Sequence, residues 1–330
     1  MSCGGPLFPH AANASPHPLK PFTSVPQQLD MLRRLGLGIE DAQRAGQLLK
    51  RIGYFRFSGY AHSLKTARVT DNEQDERFHP DATFDIVEGL AEFDKSLRLL
   101  VLHGLGTIEI AMRACVVARL GGVDIEAHRQ PHLFDRRFTT ALSSAQPSLH
   151  EEWLRRFDDL CAKSKEDFVE HHRRRYGGKL PVWAAMEVLD FGLLSKLVGG
   201  LQQRDGRALA RQLNLEHAGV LKSWMHMFNV LRNRAAHHAR LWNRTTSKIP
   251  LLPSKNAAPD LFFLHDDDHA RTRLFGTLSC MRAMIRIIAP EDDWHREVKG
   301  LMGRFPQFLG LSMRSAGFPA DWQRLGLWAD

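Results

Sequence analysis

Between Trp224 and Arg244 the chain contains Arg232-Asn233-x-x-x-His237, an arginine, an amide and a histidine within six residues. The arginine is a permanent cation whose planar fork of N–H donors matches the oxygens of a phosphate. The histidine can take and give protons near neutral pH. Together they have the makings of phosphodiester cleavage without metal or cofactor.

One helix over about 217–242 would position them. At 100° per residue it gathers Leu221, Trp224, Phe228, Leu231, Ala235, His238 and Trp242 on about 100° of arc, the core face. Arg232, Asn229, Arg240, Asn233, His226, Arg244 and His237 share an opposite arc of about 140°. That arc carries no acid. A merely solvated face mixes Glu and Lys at i, i+4 spacing, whereas this one resembles a surface built to face an anion. The projection separates the adjacent histidines. His237 lies one turn below Asn233 and is the proton carrier. His238 falls at the edge of the apolar stripe and reads as a packed or orienting residue.

The rest of the chain reads as helices punctuated by Gly and Pro. Gln27–Leu35 and Ile39–Ile52 have helical spacing, while Tyr54–Tyr60 is short, aromatic and fits a strand or a tight loop. Residues 66–82, with the charged run Asp71–Arg77, read as an exposed loop. A long helix is predicted over 84–119, its apolar face formed by Leu90, Phe93, Leu97, Leu100, Val101, Leu105, Ile108, Met112 and Val116. Further helices are predicted over 147–174, 181–198 (Pro181 first), 204–213, 270–288 and 291–303. Gly121-Gly122 and Gly177-Gly178 are breaks, and three prolines make 248–259 a loop. Alternating strand patterns are nearly absent. The predicted fold class is all-α, a helical bundle with N- and C-terminal helical elaborations. The expected organisation is a flexible arm over 1–20, a helical domain over 21–245, and a proline-rich loop with a C-terminal helical extension over 246–330.

A hydrophobic share of 43% suffices for a core and argues against global disorder. The net charge of +8 suits a nucleic-acid partner without requiring one. Cys3, Cys115, Cys161 and Cys280 form no CxxC pair, which counts against structural zinc and fits a reduced, cytoplasmic protein. Cys115 reads as a small core residue. No uninterrupted run of about 18 apolar residues occurs and the N-terminus lacks a signal-peptide pattern, so no membrane span is expected.

Arg232-Asn233-x-x-x-His237 resembles the Arg-x4–6-His signature of the HEPN superfamily of all-α ribonucleases. The wider segment Leu231-Arg-Asn-x-x-Ala-His-His-x-Arg-Leu-Trp-Asn-Arg244 is similar to the Abi-like (AbiD/AbiF) abortive-infection branch. So are Tyr54-Phe-Arg-x-Ser-Gly-Tyr60, Phe93-Asp-x-x-Leu-Arg-Leu-Leu100, Ile108-Glu-x-Ala-x-Arg113 and Leu180-Pro-x-Trp-x-x-x-Glu-Val-Leu-x-Phe-Gly192, in the expected order over about residues 20–245. The resemblance implies a bundle of HEPN type and metal-independent endoribonuclease chemistry, in phage defence or as a toxin, with no cofactor. The RNA 2′-hydroxyl would attack its neighbouring phosphate, with His237 as general base or acid. Arg232 would hold the phosphate and stabilise transition-state charge, and Asn233 would orient the phosphate or His237. The products would be a 2′,3′-cyclic phosphate and a 5′-hydroxyl, and DNA would resist. In relatives two motif helices meet across a two-fold. This chain has one motif, so a homodimer with a composite site is expected. A small non-coding RNA that restrains the protein is a further implied partner.

Other residues carry alternative readings. Glu109, four before Arg113, is either half of an i, i+4 ion pair or a carboxylate orienting Arg232 or His237, and Glu187 is a weaker candidate. His238, Arg240 and Arg244 support the motif. His226 and Asn229 offer RNA contacts. Arg56, among Tyr54, Phe55, Phe57 and Tyr60, would stack on or clamp RNA, although aromatics at this density more often build core. The run His171–Arg175 suits a helix C-terminus. The acids of His265-Asp-Asp-Asp-His269 suit N-terminal capping better than metal binding, and no metal site is expected. The competing function is a non-catalytic RNA-binding module that holds a structured small RNA. A helical protein-interaction module is the third.

Overall fold

The computed structural model describes residues 19, 21–66, 77–141, 143 and 146–329. Among them are fifteen α-helices, with isolated bridges in place of strands, so the all-α expectation holds. The predicted arm over 1–20 (Leu19 apart) and most of the predicted loop over 66–82 lie outside the described residues.

Two compact units divide the chain between Asp85 and Ile86. The first contains α1 (Val25–Arg34), α2 (Ala42–Ile52) and α3 (Tyr54–Ala61). The aromatic stretch predicted as strand or tight loop is the helix α3. Gly53, at φ 79°, ends α2 and redirects the chain, a conformation glycine adopts without penalty. Phe57, Tyr60 and Ala61 then share a buried face at helical spacing, with Phe57 stacked on Phe84 at 4.7 Å.

The second unit is organised by α4 (Phe84–Leu120). All nine apolar positions predicted for its inner face are buried. Then follow α5 (Arg136–Thr139), α6 (Leu149–Lys163), α7 (Asp167–Arg175), α8 (Val182–Val188), α9 (Phe191–Gly200), α10 (Gln203–Gln212) and α11 (Ala218–Ala236). The C-terminal part adds α12 (Phe263–Asp266), α13 (Asp268–Arg271), α14 (Leu274–Ile288) and α15 (Trp294–Met302). Three predicted helices are each split in two. Ser164 and Glu166 are extended between α6 and α7. Leu189 is extended before Asp190, whose carboxylate accepts the Leu193 N–H at 2.7 Å and caps α9. Arg273 is extended before α14.

Residues 246–330 share the core with α4. Helix α14 is buried continuously from Leu274 to Arg282. Trp294 of α15 lies against Gly104 of α4, where any Cβ would come within 2.7 Å of the indole. Its Nε1 donates to the Leu100 carbonyl at 2.8 Å. By length and composition α4 could cross a membrane, but the buried Asp94–Arg98 ion pair and the seated Trp294 mark it as a core helix. Cys115 is half-buried on it, and desolvation raises its thiol pKa.

His128 is fully buried, edge-on to Trp153 and Phe157, and neither ring nitrogen has a hydrogen-bond partner among the described residues. Burial, aided by the Arg129 charge, pushes its pKa down to about 4. His150, bonded through Nε2 to the His128 carbonyl at 2.9 Å, is lowered by burial too. A folded-state pKa below the unfolded value means that protonation favours unfolding. The stability from neutral His128 is therefore present above about pH 6.5 and is lost as pH falls toward 4. Urea unfolding at pH 7 and pH 4.5 should show His128→Leu losing less stability on acidification than wild type. The difference approaches roughly 3 kcal/mol at full protonation. Equal losses would show that His128 is not the acid-sensitive group.

Candidate functional site

Helix α11 ends at Ala236 rather than near residue 242. His237 is its C-cap at φ −85°, and its N–H still donates to the Asn233 carbonyl at 2.9 Å. It therefore stays one turn below Asn233, as projected. His238 departs from the projection. Its φ is +57°, its N–H donates to the Ala235 carbonyl at 3.0 Å, and the Ala239 N–H donates to the Arg234 carbonyl at 2.9 Å. These paired bonds are a Schellman closure with histidine at the left-handed position where glycine is usual. His238 is consequently exposed on a turn instead of sitting at the edge of the core. Leu221, Trp224, Phe228, Leu231 and Ala235 are buried as predicted, and Trp242 is buried from the turn rather than from the helix.

The turn is held from α4. Asp94 is fully buried, and its Oδ1 accepts the N–H groups of Leu241 at 3.0 Å and Trp242 at 2.7 Å. Its other oxygen pairs with Arg98 one turn along the same helix. Asp94 is the residue that sequence reasoning missed. Its signal was an acid inside an apolar run, four residues before an arginine. Arg234 adds a second tie by donating to the Thr245 carbonyl at 3.3 Å.

Against this fixed background, Arg232 is half-buried and His237 is exposed, and neither side chain has a partner among the described residues. Asn233 donates weakly to the Asn229 amide oxygen at 3.4 Å. Asn229 also lies close to Gly192, where a Cβ would be 3.4 Å from its Oδ1, so α9 can approach the motif helix. Arg240 is half-buried and Arg244 exposed on the segment after the helix. No acid occurs between Ala218 and Pro259, so these cations meet no carboxylate from their own segment.

Glu109 takes its ion-pair alternative. It binds Arg113 at 2.5 Å, and Arg113 also binds Glu187 at 3.3 Å and the Leu189 carbonyl at 2.8 Å. Arg113, held by Glu109 of its own helix, thus fastens α4 to α8 and its junction with α9. His226 is exposed on α11, its pKa lowered by burial and the Lys248 charge. It lies eleven residues before His237, about 16 Å along the axis, too far to share one phosphate. Arg56 lies half-buried on α3, in the first unit.

Of the run His171–Arg175, Arg173 and Arg174 pair with Glu170 of the same helix. His265 and His269 bond backbone carbonyls of Pro253 at 2.8 Å and Arg314 at 2.7 Å, while Asp267 caps α13. Among the described residues no group of three or more His, Cys, Asp or Glu could hold a metal ion.

Asp94→Ala should cost about 3–5 kcal/mol in denaturant unfolding, because it leaves Arg98 uncompensated and two amides orphaned. A loss below about 1 kcal/mol would show that the turn does not depend on Asp94. His238→Gly should raise stability by about 1 kcal/mol, since glycine pays no Cβ penalty at this φ. Destabilisation instead would mean that the imidazole contributes more than the strain removes.

No curated protein and no solved structure matches the chain. A family model described as Abi-like protein matches residues 47–243. That span holds α3 through α11, Asp94 with its two amides, and Arg232-Asn233-x-x-x-His237. The chain belongs to the Abi-like protein family.

Proposed function

We propose that this Abi-like protein is a metal-independent endoribonuclease of the HEPN type, acting in the cytoplasm in phage defence or as a toxin. The family is one of abortive infection, a form of phage defence. The observation that carries the nuclease reading is the pair Arg232 and His237. Both stand without side-chain partners among the described residues, at the end of an acid-free helix whose closing turn is pinned by Asp94. A helix end with no acid on its own segment and open to solvent favours a phosphate.

In the reaction, a base removes the proton of the RNA 2′-hydroxyl and the 2′-oxygen bonds to the adjacent phosphorus. The bond from phosphorus to the 5′-oxygen breaks, and an acid protonates that oxygen. A 2′,3′-cyclic phosphate and a 5′-hydroxyl result. Arg232 balances the charge gathering on the phosphoryl oxygens, and His237 serves as base or acid. Two proton-transfer groups are needed, and His226 lies too far from His237 to be the second. A homodimer in which a second copy brings its own His237 supplies it.

Cleavage of a mixed RNA pool in EDTA tests the reading. Wild type should cut, and His237→Ala should lose about 10²–10⁴-fold in rate and Arg232→Ala about 10²–10³-fold. A 2′-deoxy oligonucleotide should remain intact. If wild type freed of co-purified RNA binds RNA but cuts none, the non-catalytic module holding a structured small RNA replaces the enzyme. If both variants cut like wild type, the site is elsewhere. Full activity from a monomer by light scattering would remove the composite site.

A further inference from the structure

A second cationic feature lies further up the motif helix. A cavity of about 420 Å³ is lined by Arg137 of α5, Lys196 of α9 and Lys222 of α11, together with Asp135, Phe138 and Leu149. Three cations face one carboxylate. Asp135 is already engaged as a cap, accepting the Arg137 backbone N–H at 2.9 Å. The exposed Arg137 side chain has no partner among the described residues. Lys196 approaches Glu152 only to 4.0 Å, with both side chains about half exposed. Lys222 donates to the Leu201 carbonyl at 3.2 Å. Burial lowers its pKa, Asp135 opposes this and Arg137 adds to it, as expected for a cation crowded by another.

The cavity and the motif share α11. On α11, Lys222, His226, Asn229 and Asn233 follow one another at i, i+4, i+7 and i+11 and fall within about 60° of arc. The stripe spans about 16 Å, carries no acid, and ends beside Arg232. A single strand with its reacting phosphate at Arg232 and His237 therefore meets a polar helix stripe, without acid of its own, that leads to three cations.

We propose that the Arg137–Lys196–Lys222 cavity is a second phosphate subsite, holding the backbone of single-stranded RNA a few nucleotides from the cleaved bond. The direction of the strand follows from the stripe, and the identity as RNA rests on the ribonuclease reading above. A phosphate can also arrive as free anion, so the test separates the two sources.

The measurement is fluorescence anisotropy of a 2′-O-methyl single strand of about 12 nucleotides, titrated with the full-length protein over a range of KCl. Arg137→Gln with Lys196→Gln removes two exposed cations and should weaken binding about tenfold. It should also flatten the slope of log affinity against log salt by about 0.7 per lost contact. The charge-keeping pair Arg137→Lys with Lys196→Arg should bind like wild type, which ties the loss in the Gln pair to charge rather than to substitution at these positions. Unchanged affinity and slope in the Gln pair overturns the subsite, even if wild type cleaves RNA. Weakened, flattened binding by the Gln pair supports the subsite even if wild type cleaves nothing, in which case only the ribonuclease reading falls. Inorganic phosphate that binds wild type, weakens in the Gln pair, and does so with RNA affinity unaltered would make this a free-anion site and overturn the proposal.

Discussion

A buried carboxylate sets the geometry of the motif turn. Asp94 is fully buried on α4, and a buried charge costs several kcal/mol unless it is both paired and hydrogen-bonded. Arg98 supplies the pair and the amides of Leu241 and Trp242 supply the hydrogen bonds. Those amides are available because a left-handed residue ends α11 four positions after Arg234 and turns the chain away. The deficits of the helix and of the turn cancel each other. Trp242 is thereby seated against Phe305, which in turn meets Phe93 of α4 edge-on. The end of the motif helix has one position because moving it would strand a charge.

The arginines divide according to this logic. Arg98 pairs with Asp94 of its own helix, while Arg113, Arg119 and Arg234 each bind a carboxylate or carbonyl beyond their own helix. Arg232 and Arg244 have no such partner among the described residues. A carboxylate near them would cancel much of their field at the short range where a phosphate would sit. The acid-free run from Ala218 to Pro259 preserves that field, and the paired arginines keep the surrounding framework rigid. Rigidity and open charge are thus assigned to different residues of the same type. Composition alone could not make that division.

Periodicity found what burial makes periodic. The inner face of α4 and the apolar stripe of α11 were legible because both repeat with the helix. It overran the junctions at Ser164–Glu166 and Leu189-Asp190, where the apolar pattern continues while one or two residues turn extended. Asp190 was a readable cap signal. His238 was misplaced for a different reason. A straight projection assumes the helix continues, and the closure here puts histidine where glycine would have announced the stop. Asp94 was visible four residues before Arg98, but such pairs are ordinary on exposed helices. Only tertiary structure reveals that this one is buried and that its second task lies almost 150 residues away.

The accessibility of the motif bears on how it could work. Charge stabilisation during phosphoryl transfer strengthens when water is excluded. His237 is exposed on the end of a helix, and no described side chain covers it. Under the proposed mechanism one protomer would present Arg232 as the cation and His237 as one proton carrier, and would still need a second proton carrier and a wall against solvent. A second copy meeting this face across a two-fold would bring both at once, together with a second Arg232. The substrate could supply the wall but not the missing imidazole. For catalysis by the proposed mechanism, self-association is therefore the more economical completion of the site. RNA binding alone, as proposed, would need neither addition, because a row of cations and amides can contact a phosphate backbone without them.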